Sequence, residues 1–221
     1  MSFLENLKRS FKRRKRNVKY FFQWLFNEKL HGVDFTMRNY KVRGTKKYIE
    51  NDYHGYAKTP EEVINNMLDS MNITSEDCFI DVGCGKGVTL KEAAKRDFKR
   101  VAGIELDPGI YEITKNNFKR LGMQDRVEVF NCNAVDFDRY NEFNVFYFFN
   151  PFGGEARKMV MEKIFQAIRN RTEQVRFWIL NYGSTGGISM EYYIRSSGLF
   201  ELVKKYVEPI KDIEVSIWSS I

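Results

Sequence analysis

The sequence has few cysteines and histidines. Its 221 residues include three cysteines, Cys78, Cys84 and Cys132, and two histidines, His31 and His54. An odd number of scattered cysteines without a CxxC pair argues against a disulfide framework, and two distant histidines argue against a zinc site. We therefore predict that the protein binds no metal and works in a reducing, cytoplasmic location.

Long apolar runs, internal repeats and low-complexity segments are absent as well. The aromatic-rich stretch YFFQWLF near the N-terminus is far shorter than the ~20 apolar residues of a membrane span. The NEKLHG segment that follows it lacks the small residues of a signal-peptide cleavage site. A chain of this length with 43% hydrophobic residues predicts a substantial globular domain with a large core.

Positive charge is confined to the N-terminal segment. Residues 1–30 contain nine Lys or Arg and two acidic residues, which accounts for the whole net charge of +7. Apolar residues from Leu4 to Leu25 recur at helical spacing, which predicts a basic amphipathic helix over residues 1–30. Three roles remain open for it: packing on the rest of the protein, or contact through residues 8–19 with nucleic acid or with an anionic inner-membrane surface.

From residue 59 onwards, apolar runs alternate with amphipathic stretches. The TPEE sequence predicts a helix start, with Thr59 as N-cap and Glu62 closing a capping box. The last two apolar runs follow each other with only a turn between them. This order predicts an α/β fold, with a seven-stranded, mostly parallel sheet and a C-terminal antiparallel hairpin. We assign the domain to residues 59–221 and expect residues 31–58 to form a connection that partly covers its ligand site.

The segment DVGCGKG follows the first predicted strand, where open α/β sheets usually bind ligands. Its three glycines, Gly83, Gly85 and Gly87, would let a ligand approach the backbone where a Cβ would clash. The residues between them are interpreted as spacers, and Lys86 is expected to point to solvent. The spacing is one residue short of the dinucleotide fingerprint, which disfavours a pyrophosphate.

An acidic residue ends the second predicted strand. Glu105 stands twenty residues after Gly85, and a carboxylate there can accept hydrogen bonds from both hydroxyls of a ribose. Together with the glycines it indicates a ligand that contains a nucleoside. These residues alone leave two alternatives open: the loop binds a different nucleotide, or it is a plain turn that binds no ligand.

Several segments together carry a family resemblance. GYAKTPEEV, DVGCGKGVTL, FKRVAGIEL and YFFNPFGG resemble the Rossmann-like (class I) S-adenosylmethionine-dependent methyltransferases, and in particular a bacterial group with little characterised substrate chemistry. The resemblance covers about residues 55–221. It implies S-adenosylmethionine as the methyl donor, S-adenosylhomocysteine as the product and an unidentified methyl acceptor.

The resemblance also implies a donor site built from several loops. Asp81 would hold the glycine loop or bind the donor's amino group through water, Glu105 would bind the ribose diol, and Leu106 would lie against the adenine. Asn133 stands where many relatives have an aspartate that binds the adenine amino group, and its side-chain oxygen can accept the same bond. The implied donor residues are Tyr56, Thr59, Asp81, Gly83, Cys84, Gly85, Gly87, Glu105, Leu106, Asn133, Ala134 and Asn150.

The acceptor side is expected after the fourth strand, at Asn150, Pro151 and Phe152. Amino-group methyltransferases often carry [DN]-P-P-[FYW] here, and this sequence has one proline fewer. The resemblance implies that Asn150 orients the acceptor and Phe152 forms its wall, and it favours nitrogen as the acceptor atom. Three alternatives remain open: a protein-lysine or nucleic-acid methyltransferase that docks through the basic helix, a non-catalytic membrane- or nucleic-acid-binding module, and a plain turn at Asn150.

Overall fold

The computed structural model describes residues 28–35, 56–172, 175–183, 189–208 and 212–221. Nearly all of the predicted amphipathic helix, including the basic residues 8–19, lies outside the described residues. The same holds for most of the predicted connection. The proposed division of the chain into three segments therefore stays a prediction.

The described chain alternates between strands and helices as the sequence predicts. A 3-10 turn, Tyr140–Glu142, precedes the fourth strand. The elements, in chain order, are α1 (Glu61–Leu68), β1 (Cys78–Val82), α2 (Val88–Ala93), β2 (Arg100–Glu105), α3 (Pro108–Arg120), β3 (Val127–Asn131), β4 (Val145–Phe148), α4 (Gly154–Arg169), β5 (Trp178–Tyr182), α5 (Met190–Ser196), β6 (Phe200–Glu208) and β7 (Ile213–Ser220).

The strands form one seven-stranded sheet in the order β3-β2-β1-β4-β5-β7-β6. Strands β1 to β5 pair in parallel, and β7 pairs antiparallel with both β5 and β6. Helices α2, α3 and α4 join β1 to β2, β2 to β3 and β4 to β5, because a parallel neighbour can be reached only by a crossover connection. The predicted fold class, including the C-terminal antiparallel hairpin at the sheet edge, is confirmed. No helix within the described ranges is both long enough and apolar enough to cross a membrane.

The central strands of the sheet are buried on both faces, whereas the edge strand β6 is largely exposed. One core cluster packs α1 and α2 against the sheet and includes Phe79, Tyr147 and Ile217. The other cluster lies on the opposite face under α4 and α5 and includes Phe146, Ile164 and Trp218. Two-sided burial explains why the central strands appear in the sequence as nearly continuous apolar runs rather than as an alternating pattern.

One buried asparagine ties together the starts of the central strands. Asn144, only 2% exposed, accepts a hydrogen bond from Cys78 N at 2.7 Å. Its Nδ2 donates to Asp77 Oδ1 at 2.6 Å and to Arg176 O at 2.9 Å. Because these partners precede or begin β1 and β5, the side chain fixes where the strands begin relative to β4.

The first helix begins differently from the prediction. Pro60, not Thr59, is the N-cap residue of α1, and no side chain caps the helix. The Thr59 hydroxyl lies instead within 2.8 Å of the Tyr147 hydroxyl. The predicted capping box is therefore wrong, because the threonine side chain turns into the protein and hydrogen-bonds there.

Replacing Asn144 by alanine should destabilise the fold strongly. The change removes three hydrogen bonds and leaves their partners buried, which costs roughly 2–4 kcal/mol of unfolding free energy. Urea unfolding of Asn144→Ala and of the exposed control Asn141→Ala measures the difference. Equal midpoints for the two variants would contradict the anchoring role.

Candidate active site

A cavity that opens to solvent lies at the carboxyl edge of the parallel strands. It is the place where the loops after β1, β2, β3 and β4 meet. All but two of the predicted site residues line it: Tyr56, Thr59, Asp81, Gly83, Cys84, Gly85, Glu105, Leu106, Ala134, Asn150, Pro151 and Phe152.

The glycine loop forms the floor of this cavity. Gly83 and Gly85 have φ angles of +89° and +53°, which L side chains rarely adopt. A Cβ on Gly83 would lie 2.6 Å from the Pro151 side chain, and one on Gly85 would lie 2.4 Å from the Tyr56 ring. Both positions therefore need glycine, because the loop packs tightly against the cavity walls.

The Glu105 carboxylate is fixed by the backbone around it. Its Oε2 accepts from Gly85 N at 2.9 Å, and its Oε1 accepts from Asp107 N at 2.8 Å. Burial raises the pKa of Glu105 from 4.5 to about 7, although the bonds from these backbone N–H groups oppose the shift. Each oxygen keeps a further lone pair, so the carboxylate can still accept hydroxyl hydrogens from a ligand.

Asp81 brings a second buried carboxylate to the cavity. Its Oδ1 is buried and has no hydrogen-bond partner within the described part of the chain. Burial raises the pKa of Asp81 well above its ordinary value, a hydrogen bond with Thr89 lowers it, and the nearby Glu105 raises it. A buried acceptor without a partner costs stability unless a ligand or water satisfies it, so this oxygen is a candidate position for a polar group of a ligand.

The acceptor-side turn has an unusual backbone. Asn150 has a φ angle of +41°, which asparagine tolerates better than most residues. A Cβ on Gly183 would lie 2.9 Å from the Asn150 Cβ. The buried Arg157 donates from Nη2 to Asn150 Oδ1 at 3.3 Å and to Phe152 O at 3.0 Å. Together these contacts hold the Asn150 side chain and the Phe152 carbonyl in place.

Three residues of this region were not identified from the sequence. Tyr147 lines the cavity and hydrogen-bonds Thr59, but in the sequence it belongs to a buried aromatic run. Arg157 and Gly183 support Asn150 from α4 and from the end of β5. The only sequence signal for Arg157 is its place in the first turn of the helix after the NPF segment. Only the folded structure shows that its side chain is buried.

Two predicted donor residues do not line the cavity. A Cβ on Gly87 would meet the Phe118 ring at 2.7 Å and the Thr114 methyl at 2.9 Å, so this glycine makes room for α3. Asn133 Oδ1 accepts from Val135 N at 3.0 Å. The predicted role of Asn133 in binding adenine stays a prediction.

The lysine of the glycine loop is also placed differently. Lys86 is fully buried, and its Nζ lies 2.7 Å from Asp34 Oδ2. The expectation that Lys86 points to solvent is wrong, because residues 28–35 pack over this side of the loop. Among the described residues, no group of three or more His, Cys, Asp and Glu side chains is placed to hold a metal ion.

Comparisons with known proteins agree with this geometry. The profile of a family described as "Ribosomal RNA adenine dimethylase" matches residues 55–182. The chain is similar to an H3 lysine-79-specific histone-lysine N-methyltransferase of Dictyostelium discoideum, with 29% identity over 67% of this chain and 8% of that protein. It is also similar to a ribosomal protein L11 methyltransferase of Alteromonas mediterranea, with 39% identity over 28% of this chain and 21% of the relative.

The fold recurs in solved structures. An RNA methyltransferase from Salinibacter ruber, solved with S-adenosyl-L-homocysteine, superposes with a TM-score of 0.56 at 18% identity and covers 74% of this chain and 94% of that chain. At this identity the likeness concerns the fold alone. The chain spans less than a quarter of the length of the two curated relatives named above.

Glu105 should make stability depend on pH. Folding raises its pKa from 4.5 to about 7, so the folded protein binds this proton more tightly than the unfolded chain. The resulting stabilisation is complete below pH 4.5 and is lost as the pH rises through 7, by at most about 3 kcal/mol.

Urea unfolding at pH 5 and pH 8 tests this dependence. We expect the wild type to lose more stability between these pH values than Glu105→Gln, which cannot titrate. Because each protein is compared with itself at the two pH values, the pH-independent effect of the substitution on the unfolding free energy cancels. Parallel pH dependences would show that Glu105 titrates normally.

Proposed function

The chain belongs to the ribosomal RNA adenine dimethylase family, within the class I S-adenosylmethionine-dependent methyltransferases, and on this premise we propose that it transfers a methyl group to an amine nitrogen. The observation that carries the proposal is the Asn150 turn at the edge of the cavity. There Arg157 holds the side-chain oxygen of Asn150 in place beside the proposed donor pocket.

The residues of the cavity fit S-adenosylmethionine. Glu105 offers two fixed carboxylate oxygens for the ribose hydroxyls, and the orphaned Oδ1 of Asp81 suits the donor's ammonium group. Leu106 and Ala134 supply an apolar surface on the side expected for the adenine. When bound, S-adenosylmethionine supplies a methyl group on a positively charged sulfur, which is already a good leaving group.

Because the donor is activated, positioning of the acceptor does most of the catalytic work. Asn150 Oδ1 can accept a hydrogen from a target amine through the lone pair that Arg157 leaves available. The positive φ angle of Asn150 also sets the direction in which its side chain leaves the backbone. A hydrogen bond to this fixed acceptor orients the amine, and in-line transfer requires a defined orientation.

Two amine classes are candidates for the acceptor. The family description points to the amino group of an adenine in RNA. The similarity to a histone-lysine methyltransferase over 67% of this chain points to a lysine side chain. In either case we propose that the basic residues 8–19 guide docking, since nucleic acid and acidic protein surfaces both attract clustered Lys and Arg. We propose a cytoplasmic location, with the inner membrane surface as the alternative docking partner.

Donor binding should depend on Glu105. Isothermal titration with S-adenosylhomocysteine should give an affinity that Glu105→Ala weakens by about 1–3 kcal/mol, the loss expected for hydrogen bonds to a charged group. Glu112→Ala, which removes an exposed carboxylate on α3, is the matched control. A folded wild-type protein that does not bind would refute the proposed donor.

Methyl transfer should depend on Asn150. Glycine adopts the φ angle of +41° without strain, so Asn150→Gly removes the amide and keeps the turn. We expect transfer of labelled methyl groups to fall about 100-fold or more with the affinity for S-adenosylhomocysteine changed little. Asn170→Ala, at the exposed end of α4, is the control.

The transfer assay uses two acceptor panels, ribosomal RNA and lysine-rich protein. Label in RNA would assign a nucleobase amine, and label in protein would assign lysine. Full activity of Asn150→Gly on its acceptor would contradict the positioning role of this residue.

A further inference from the structure

A fully buried lysine inside the glycine loop requires a physical explanation. Lysine is almost never fully buried unless it is paired, and Lys86 is 0% exposed. Its Nζ pairs with Asp34 Oδ2 at 2.7 Å and lies 5.5 Å from the centre of the Tyr56 ring, within reach of a cation–π interaction. The lysine therefore joins the loop to two residues that lie far from it in the sequence.

Asp34 belongs to a segment that packs closely on the domain. We call residues 28–35 the strap. Its Val33 and Phe35 side chains are buried in the main core. The buried Glu28 accepts from Phe35 N at 3.0 Å and from Lys58 Nζ at 3.2 Å. The strap thus has a defined conformation and a defined place beside the cavity.

A second side chain connects the strap to the glycine loop. Asn117 of α3 accepts from Asp34 N at 2.8 Å, and its Nδ2 donates to Asp34 O at 2.8 Å and to Lys86 O at 3.1 Å. Asn117 is itself buried. The main chain of the loop and the main chain of the strap are therefore held at a fixed separation.

Tyr56 connects the strap to the wall of the cavity. Its hydroxyl donates to the carbonyl of Phe35, the last residue of the strap, at 2.8 Å. Its ring lies over Gly85, where even a Cβ would clash, and it lines the cavity. The position of this wall follows from where the strap lies.

We infer that Lys86 is a positioning residue for the methyl donor, and that its ion pair with Asp34 fixes the strap that holds Tyr56 against Gly85. The inference rests on the proposed function, because the donor is the ligand whose pocket Tyr56 completes. It adds the strap, which precedes the methyltransferase domain in the sequence, to the donor-binding machinery.

We expect the ion pair between Lys86 and Asp34 to matter more for donor binding than for the stability of the fold. An apolar side chain of similar length in place of a buried ion-pair partner avoids the desolvation of the ammonium group. Lys86→Met should therefore fold, while the strap and Tyr56 lose the charge that holds them together. The Asp34 side chain is 46% exposed, so Asp34→Ala leaves no interior cavity. It does remove the carboxylate from the buried Lys86 ammonium group, and we therefore expect it to unfold at a lower temperature than Lys86→Met. It tests the same ion pair from its other side.

The experiment is isothermal titration of the full chain with S-adenosylhomocysteine, alongside thermal unfolding of each ligand-free variant. We expect Lys86→Met and Asp34→Ala each to weaken binding roughly tenfold, and the double variant to bind no more weakly than either single one, since both changes break one interaction. The control is Lys95→Met, which breaks an ion pair with Glu92 on a lysine that is 54% exposed; it should bind like the wild type.

The outcomes separate this inference from the proposed function. A wild type that fails to bind would contradict the proposed donor itself. A wild type that binds, with unchanged affinity in a folded Lys86→Met or Asp34→Ala variant, would overturn the inference alone. Additive losses in the double variant would also overturn it, because they would mean that the two residues act separately.

Discussion

The parallel pairing of β1 with β2 and β4 is the constraint on which the site depends. In this register Asp81 lies beside Gly103, and Val82 beside Phe148, so the three strands end at one edge of the sheet. The glycines and Asn150 lie in the loops that follow β1 and β4, and Glu105 is the last residue of β2. Because Asn144 ties the opposite ends of β1 and β5 to the start of β4, a shift there would move the Asn150 turn relative to the glycine loop.

The site combines tight packing with buried charge. Gly83 and Gly85 allow Pro151 and Tyr56 to approach the loop within distances that any side chain would prevent. Asp81 and Glu105 line the same cavity, and burial raises the pKa of both. Two carboxyl groups that are costly to ionise in the free protein suit a cationic ligand, because its positive charge offsets the cost of burying theirs.

The family and the fold place the protein among methyltransferases, and its site differs from the common pattern in the turn at Asn150. The turn at Asn150 is shorter by one proline than the pattern common among amino-group methyltransferases. Arg157 and Gly183 hold this short turn in place. On the other side of the cavity, the strap and Lys86 support Tyr56. The two walls of the cavity therefore depend also on Arg157, Gly183 and the strap, which lie outside the motifs that identify the family.

The sequence by itself determined the order of strands and helices, the C-terminal hairpin and most of the cavity lining, since these follow from local periodicity and from glycines and acids at strand ends. It could not determine which buried groups meet. Thr59 bonds Tyr147 instead of capping a helix, Gly87 makes room for α3, and Lys86 turns inward to Asp34. Each of these depends on a partner that is distant along the chain, and only the packing of the folded domain decides which partner is near.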